Sequence, residues 1–78
     1  MSSLPIPFHR LAVCIDNAGY PAALEVRKIY QVLPDADAKQ YNYLRVIDES
    51  GEDYLYPASY FIFLELPQAI QDILLQAA

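Results

Sequence analysis

Between Tyr43 and Leu66 the chain reads YLRVIDESGEDYLYPASYFIFLEL: two apolar-aromatic runs close on an acidic reversal, and a proline-bounded corner launches a third. Short runs rich in Tyr, Val, Ile and Phe, punctuated this closely, suit strands and leave no length for a helix between them. The reversal Glu49-Ser50-Gly51-Glu52 contains Gly51, which suits a positive-φ position. Two registers satisfy it. A two-residue Ser50-Gly51 turn pairs Ile47 with Tyr54 and Val46 with Leu55, whereas a three-residue turn with a bulge pairs Val46 with Tyr54. Either one gathers Asp48, Glu49, Glu52 and Asp53 at the hairpin tip. Their spacing is not that of a calcium loop, so the tip reads as a solvated surface and not as a metal site. Pro57 cannot donate into a ladder, and the chain therefore turns a corner at Pro57-Ala58-Ser59-Tyr60 before the run from Phe61 to Leu66.

The rest of the chain supplies what such a hairpin needs to close a small sheet. Arg10 to Asp16 holds an unbroken apolar block, consistent with a strand buried on both faces or at a sheet junction. Asn17-Ala18-Gly19-Tyr20-Pro21 carries turn residues, and Arg27 to Leu33 alternates as a strand until Pro34 stops it. Lys28, Tyr30 and Val32 share one of its faces. Pro34 to Asn42 is polar and reads as a connection with room for one helical turn, with Asp35 or Pro34 near its start. After the last strand the period changes: Leu66, Ala69, Ile70, Ile73, Leu74 and Ala77 lie on one stripe of an amphipathic helix over 67–77, with Pro67 suited to its first turn. Residues 1–9, with Leu4, Ile6 and Phe8 alternating with Pro5 and Pro7, read as an extended arm. Five strands at about 10–16, 27–33, 43–48, 53–56 and 61–66 fit one small barrel domain spanning 1–78.

Composition narrows the function. The chain has 78 residues, near the lower limit for a core without disulfides or metal, and is 55% hydrophobic with seven Tyr. All five Lys and Arg lie within residues 1–47, while residues 48–78 carry six of the ten acids and no base. Phosphate neutralisation needs clustered cations, so nucleic acid is not an expected partner. No apolar run approaches the ~18 residues of a membrane span, and no charged n-region precedes a long apolar core, so a soluble, cytoplasmic protein is expected. Cys14 lies inside an apolar run and reads as a small buried hydrophobe; pairing it with His9 for catalysis would need a sharp bend across Arg10–Val13. With glycine only at 19 and 51 there is no phosphate cradle, and neither a cofactor nor an enzymatic activity is expected.

Several motifs resemble the Src-homology-3 (SH3) family. Ala23-Leu24-Glu25-Val26-Arg27-Lys28-Ile29 is similar to the segment that leads into that family's second strand, the Gly51 hairpin to its distal hairpin, and Tyr56-Pro57-Ala58-Ser59-Tyr60-Phe61 to its aromatic-Pro-x-x-Tyr corner, a single 3₁₀ turn before the last strand. Alternating aromatics are absent near Ala12–Asp16, and no Trp opens the third strand, where Tyr41 or Tyr43 is the nearest aromatic. The closer likeness is to small bacterial SH3-like proteins of unassigned function. The resemblance implies a mainly β fold: a small five-stranded SH3-like barrel with a short C-terminal α-helix. It also implies that Pro57 and Tyr60 help line a contact surface.

Seven tyrosines exceed what so small a core holds with every hydroxyl satisfied, so several should be exposed. The expected function is a non-enzymatic protein-interaction module that meets a protein or peptide through Tyr20, Tyr43, Tyr56, Pro57 and Tyr60. The alternative is a structural subunit in which the C-terminal helix and the N-terminal arm mediate homo-oligomerisation, with no separate ligand.

Overall fold

The computed structural model describes residues 10–77. Strands β1 (Arg10–Cys14), β2 (Ile29–Leu33), β3 (Tyr43–Ile47), β4 (Asp53–Pro57) and β5 (Phe61–Phe63) form one antiparallel sheet in the order β4-β3-β2-β1-β5. Helix α1 (Ala36–Gln40) links β2 to β3, a 3₁₀ turn (Ala58–Tyr60) links β4 to β5, and α2 (Gln68–Ala77) follows. Strands β4 and β5 are the two edges, so the sheet is not closed into the expected barrel. The expected N-terminal arm lies outside the described residues.

The hairpin takes the second of its two registers, with Val46 opposite Tyr54 and Ile47 opposite Asp53. Gly51 at φ 85° donates its N–H to the Asp48 carbonyl at 2.9 Å, which closes the three-residue turn. Alternation then puts Ala12, Cys14, Tyr30, Val32, Val46, Tyr56 and Phe61 on one face, where Leu24 from the β1–β2 connection caps them. The second strand starts two residues later than its alternation suggests. Arg27 sits at φ 74°, a conformation that strains any residue with a Cβ and cannot continue a ladder. The last strand is likewise shorter than 61–66, ending at Phe63.

The expected helical turn after Pro34 is α1. Asp35 is its N-cap and accepts the Ala38 N–H at 3.0 Å, while Asn42 at φ 64° ends it. The stripe predicted for α2 exists but is not buried: Ile70, Ile73 and Leu74 are all exposed, Ile73 by 60%. Among the side chains of α2 that the structure describes, the buried one is Gln71, whose Nε2 donates to the Leu66 carbonyl at 2.9 Å. Among the described residues no helix is long and apolar enough to cross a membrane.

The acidic tip differs from expectation. Its four acids do not crowd together in solvent, because each has a different partner. Asp48 is only 7% exposed and accepts hydrogen bonds from the Tyr56 hydroxyl, the Ser50 hydroxyl and the Ser50 N–H. Glu49 takes Lys28 and Tyr30, Glu52 takes the Tyr54 hydroxyl, and Asp53 takes Arg45. No group of His, Cys or acids suited to a metal is found among the described residues.

Candidate functional site

Two segments far apart in sequence meet at the corner after β4. The turns that carry Tyr20 are closed locally: its N–H donates to the Asn17 carbonyl, and its own carbonyl accepts from Ala23 and Leu24. Gly19, at φ 87°, provides the left-handed step just before it. The Tyr20 ring stands edge-on to Tyr56 with centroids 4.9 Å apart and lies 6.2 Å from Tyr60. Such edge-to-face pairs add about 0.5–1.5 kcal/mol beyond their area. Tyr60, at the end of the 3₁₀ turn, donates its hydroxyl to the Ala18 carbonyl at 2.8 Å, which ties the corner to the β1–β2 connection. Burial raises its pKa, and Asp16 adds to the effect.

Pro57 follows directly on Tyr56, and Tyr43 projects from the outward face of β3 beside the corner. They face each other across the β3–β4 ladder, and Tyr43 is near enough to act electrostatically on the Tyr60 hydroxyl. Of the five residues named from sequence, Tyr20 and Tyr43 are exposed, Tyr43 by 41%, and Pro57 and Tyr60 are half-buried. Tyr56 is buried at 3% and is the floor beneath Tyr20. Tyr41 and Tyr54 are exposed as well.

Two tyrosine–carboxylate pairs hold this arrangement from below. The Tyr56 hydroxyl donates to Asp48 at 2.5 Å. Burial pushes the Asp48 carboxyl up, but the hydrogen bonds from Ser50 and Tyr56 outweigh it and leave its pKa below the ordinary value. Burial and the Asp48 charge drive the Tyr56 pKa well above that of a free phenol. Beside it, the Tyr30 hydroxyl donates to Glu49 and accepts the Glu25 N–H at 2.7 Å. Lys28 approaches the same carboxylate at 2.7 Å, and together with Tyr30 it holds Glu49 below its usual range. The Glu49 N–H donates to the Ala23 carbonyl at 3.0 Å. The hairpin tip is thus fastened to the segment that carries Tyr20.

The remaining chemistry is sparse. Cys14 is fully buried, its thiol donates to the Asp16 carbonyl at 3.2 Å, and burial raises its pKa, which keeps it protonated. His9 lies outside the described residues. Sequence reasoning missed Leu24 and Asp48, both of which position this surface. The Asp48-Glu49-Ser50 spacing did carry a signal, since an Asp that accepts the N–H two residues on is a common turn device.

No protein-family model, no curated protein and no solved structure matches this chain, so the geometry alone carries the functional reading.

Proposed function

We propose that this chain is a non-enzymatic protein-interaction module of the cytoplasm, with an SH3-like arrangement, and that a protein or peptide docks on Tyr20, Tyr43, Pro57 and Tyr60. One observation carries the reading: three tyrosine rings from segments about forty residues apart converge at the corner, and the outer ones keep a face in water. Rigid, partly polar rings on a supported floor contribute contact area at low entropic cost, which is why tyrosine is enriched at interfaces. The SH3-like kinship is supported by the order of elements and by the 3₁₀ turn between Pro57 and the last strand. The buried, protonated state of Cys14 supports the absence of nucleophilic catalysis.

The test is selection of binders from a displayed random-peptide library, followed by affinity measurement against Tyr43→Ala. Tyr43 lies on the outward face of β3, so its removal should leave the unfolding midpoint nearly unchanged and weaken binding at least tenfold, about 1.4 kcal/mol. Selected peptides that bind Tyr43→Ala and Tyr20→Ala as well as the parent would refute the surface.

A second reading, a homo-oligomeric structural subunit, is favoured by the exposed apolar stripe of α2. Three partly exposed side chains per copy offset only part of the several kcal/mol lost on association, so such a dimer would be weak. It predicts that the double variant Ile70→Gln/Ile73→Gln halves the mass measured by light scattering at high concentration without unfolding the chain. A parent protein already monomeric there removes this reading.

A further inference from the structure

Beside the tyrosine surface, α1 rests on β3 and leaves a depression of about 220 Å³, with Ala38 in its wall. Tyr41, Tyr43 and Leu55 give it an apolar and aromatic lining, and Asp35, Asp37 and Arg45 give it charge. Tyr43 belongs both to this depression and to the docking face. Tyr41 is 71% exposed, and Leu55 is exposed as well.

The charges decide which ligand the depression suits. Arg45 is already engaged, with its Nε 2.7 Å from Asp35 and a terminal nitrogen 3.2 Å from Asp53. The second oxygen of Asp35 is taken by the Ala38 N–H. Among the described residues Asp37 has neither an ion pair nor a side-chain hydrogen bond. Asp35 and Asp53 thus neutralise the guanidinium between them, and Asp37, exposed and in the same lining, is left unpaired. An anion would meet a net negative wall, and the overall charge of -5 repels it further. A cation would meet the Asp37 carboxylate, the rings of two tyrosines, and a leucine against which an aliphatic stem can lie.

We propose that this depression seats the basic side chain of a protein partner, an ammonium or guanidinium on an aliphatic stem, from the same segment that lies on the tyrosine surface. It rests on the interaction reading above and adds the chemistry of the partner: an extended segment with a Lys or Arg next to the residues that cover Tyr20 and Tyr60.

The test is amide chemical-shift titration of the whole chain with three capped amino-acid amides: N-acetyl-lysine methylamide, N-acetyl-arginine methylamide, and the lysine probe acetylated on Nε. The charged probes should shift the amides of Asp37, Tyr41, Tyr43 and Leu55 with millimolar affinity. The acetylated probe should bind about fivefold more weakly. Asp37→Asn, at an exposed position, should weaken the charged probes about fivefold and leave the neutral one unchanged. Tyr41→Leu keeps apolar bulk but removes a ring face, and should weaken the charged probes about threefold. Equal binding of charged and neutral lysine, or charged probes indifferent to both variants, overturns the proposal.

Failure of the underlying reading looks different. Library peptides indifferent to Tyr43→Ala sink the docking face, whereas peptides that need Tyr43 but keep full affinity for Asp37→Asn sink only the cationic seat.

Discussion

Asp48→Ala is expected to lower the stability of this chain by about 2–4 kcal/mol, a large share of the about 4–12 kcal/mol typical of 78 residues. The carboxylate satisfies three donors, and its loss leaves the Tyr56 hydroxyl buried with nothing to accept its proton. Tyr56→Phe alone should cost less, about 1–2 kcal/mol, because Ser50 still holds Asp48. The double variant should therefore lose less than the two single losses combined, as expected for residues in one hydrogen-bonded network. Urea unfolding of the four proteins measures this directly.

The same pairs set the pH dependence. Asp48 and Glu49 have pKa values depressed by folding, so their contribution is present above about pH 4 and lost as pH falls through the lower folded values. Tyr30 and Tyr56 have raised values, so theirs is present below about pH 10 and lost as pH rises beyond it. Stability should be level across the neutral range and fall at both ends. Asp35 is depressed as well, so Asp48→Ala should flatten the acid limb only in part, because one of three depressed carboxyls is then gone.

Leu24→Ala is expected to cost about 2–5 kcal/mol and, unlike other core truncations, to remove binding while the sheet stays folded. Leu24 is 1% exposed and anchors the β1–β2 connection into the core, and its N–H closes the turn on the Tyr20 carbonyl. A cavity there frees that connection, and Tyr20 loses its fixed place over Tyr56. Val46→Ala, in the centre of β3, is the comparison, because it truncates the same core from a strand and leaves the Leu24 side chain and its N–H bond to Tyr20 in place. Measured at a temperature where both variants are folded, peptide affinity should drop at least tenfold for Leu24→Ala and stay near the parental value for Val46→Ala.

The strands were legible because their evidence is local. Alternation from Tyr43 to Pro57 and the glycine at 51 specify a hairpin, and Asp35 specifies the start of α1. What was not legible depended on pairs distant in sequence. Val46 opposite Tyr54 and Val46 opposite Leu55 satisfy the same turn residues; the choice places Tyr56 on the inner face, where Asp48 can accept its hydroxyl. Nothing local marks Leu24 as core, since it is flanked by Ala23 and Glu25 outside any periodic run. The stripe of α2 was readable as a pattern, but periodicity tells only that one face is apolar and not what covers it.

The surface itself was partly readable. Tyr56-Pro57-Ala58-Ser59-Tyr60 announces a corner, yet that Tyr20 joins it follows from how the β1–β2 connection folds back, through the Tyr60 hydroxyl on Ala18 and the Glu49 N–H on Ala23. The depression beside α1 was missed, because it needs Asp37 and Leu55 to approach across two elements.

The docking face proposed for this chain depends on Tyr20 resting on the corner. Ring-to-ring nuclear Overhauser effects in a tyrosine-labelled sample measure that contact in solution. The account predicts clear cross-peaks from Tyr20 to Tyr56, at a centroid separation of 4.9 Å, and weaker ones to Tyr60 at 6.2 Å. A Tyr20 ring with no cross-peak to either, in a chain whose strands are otherwise paired, would contradict it.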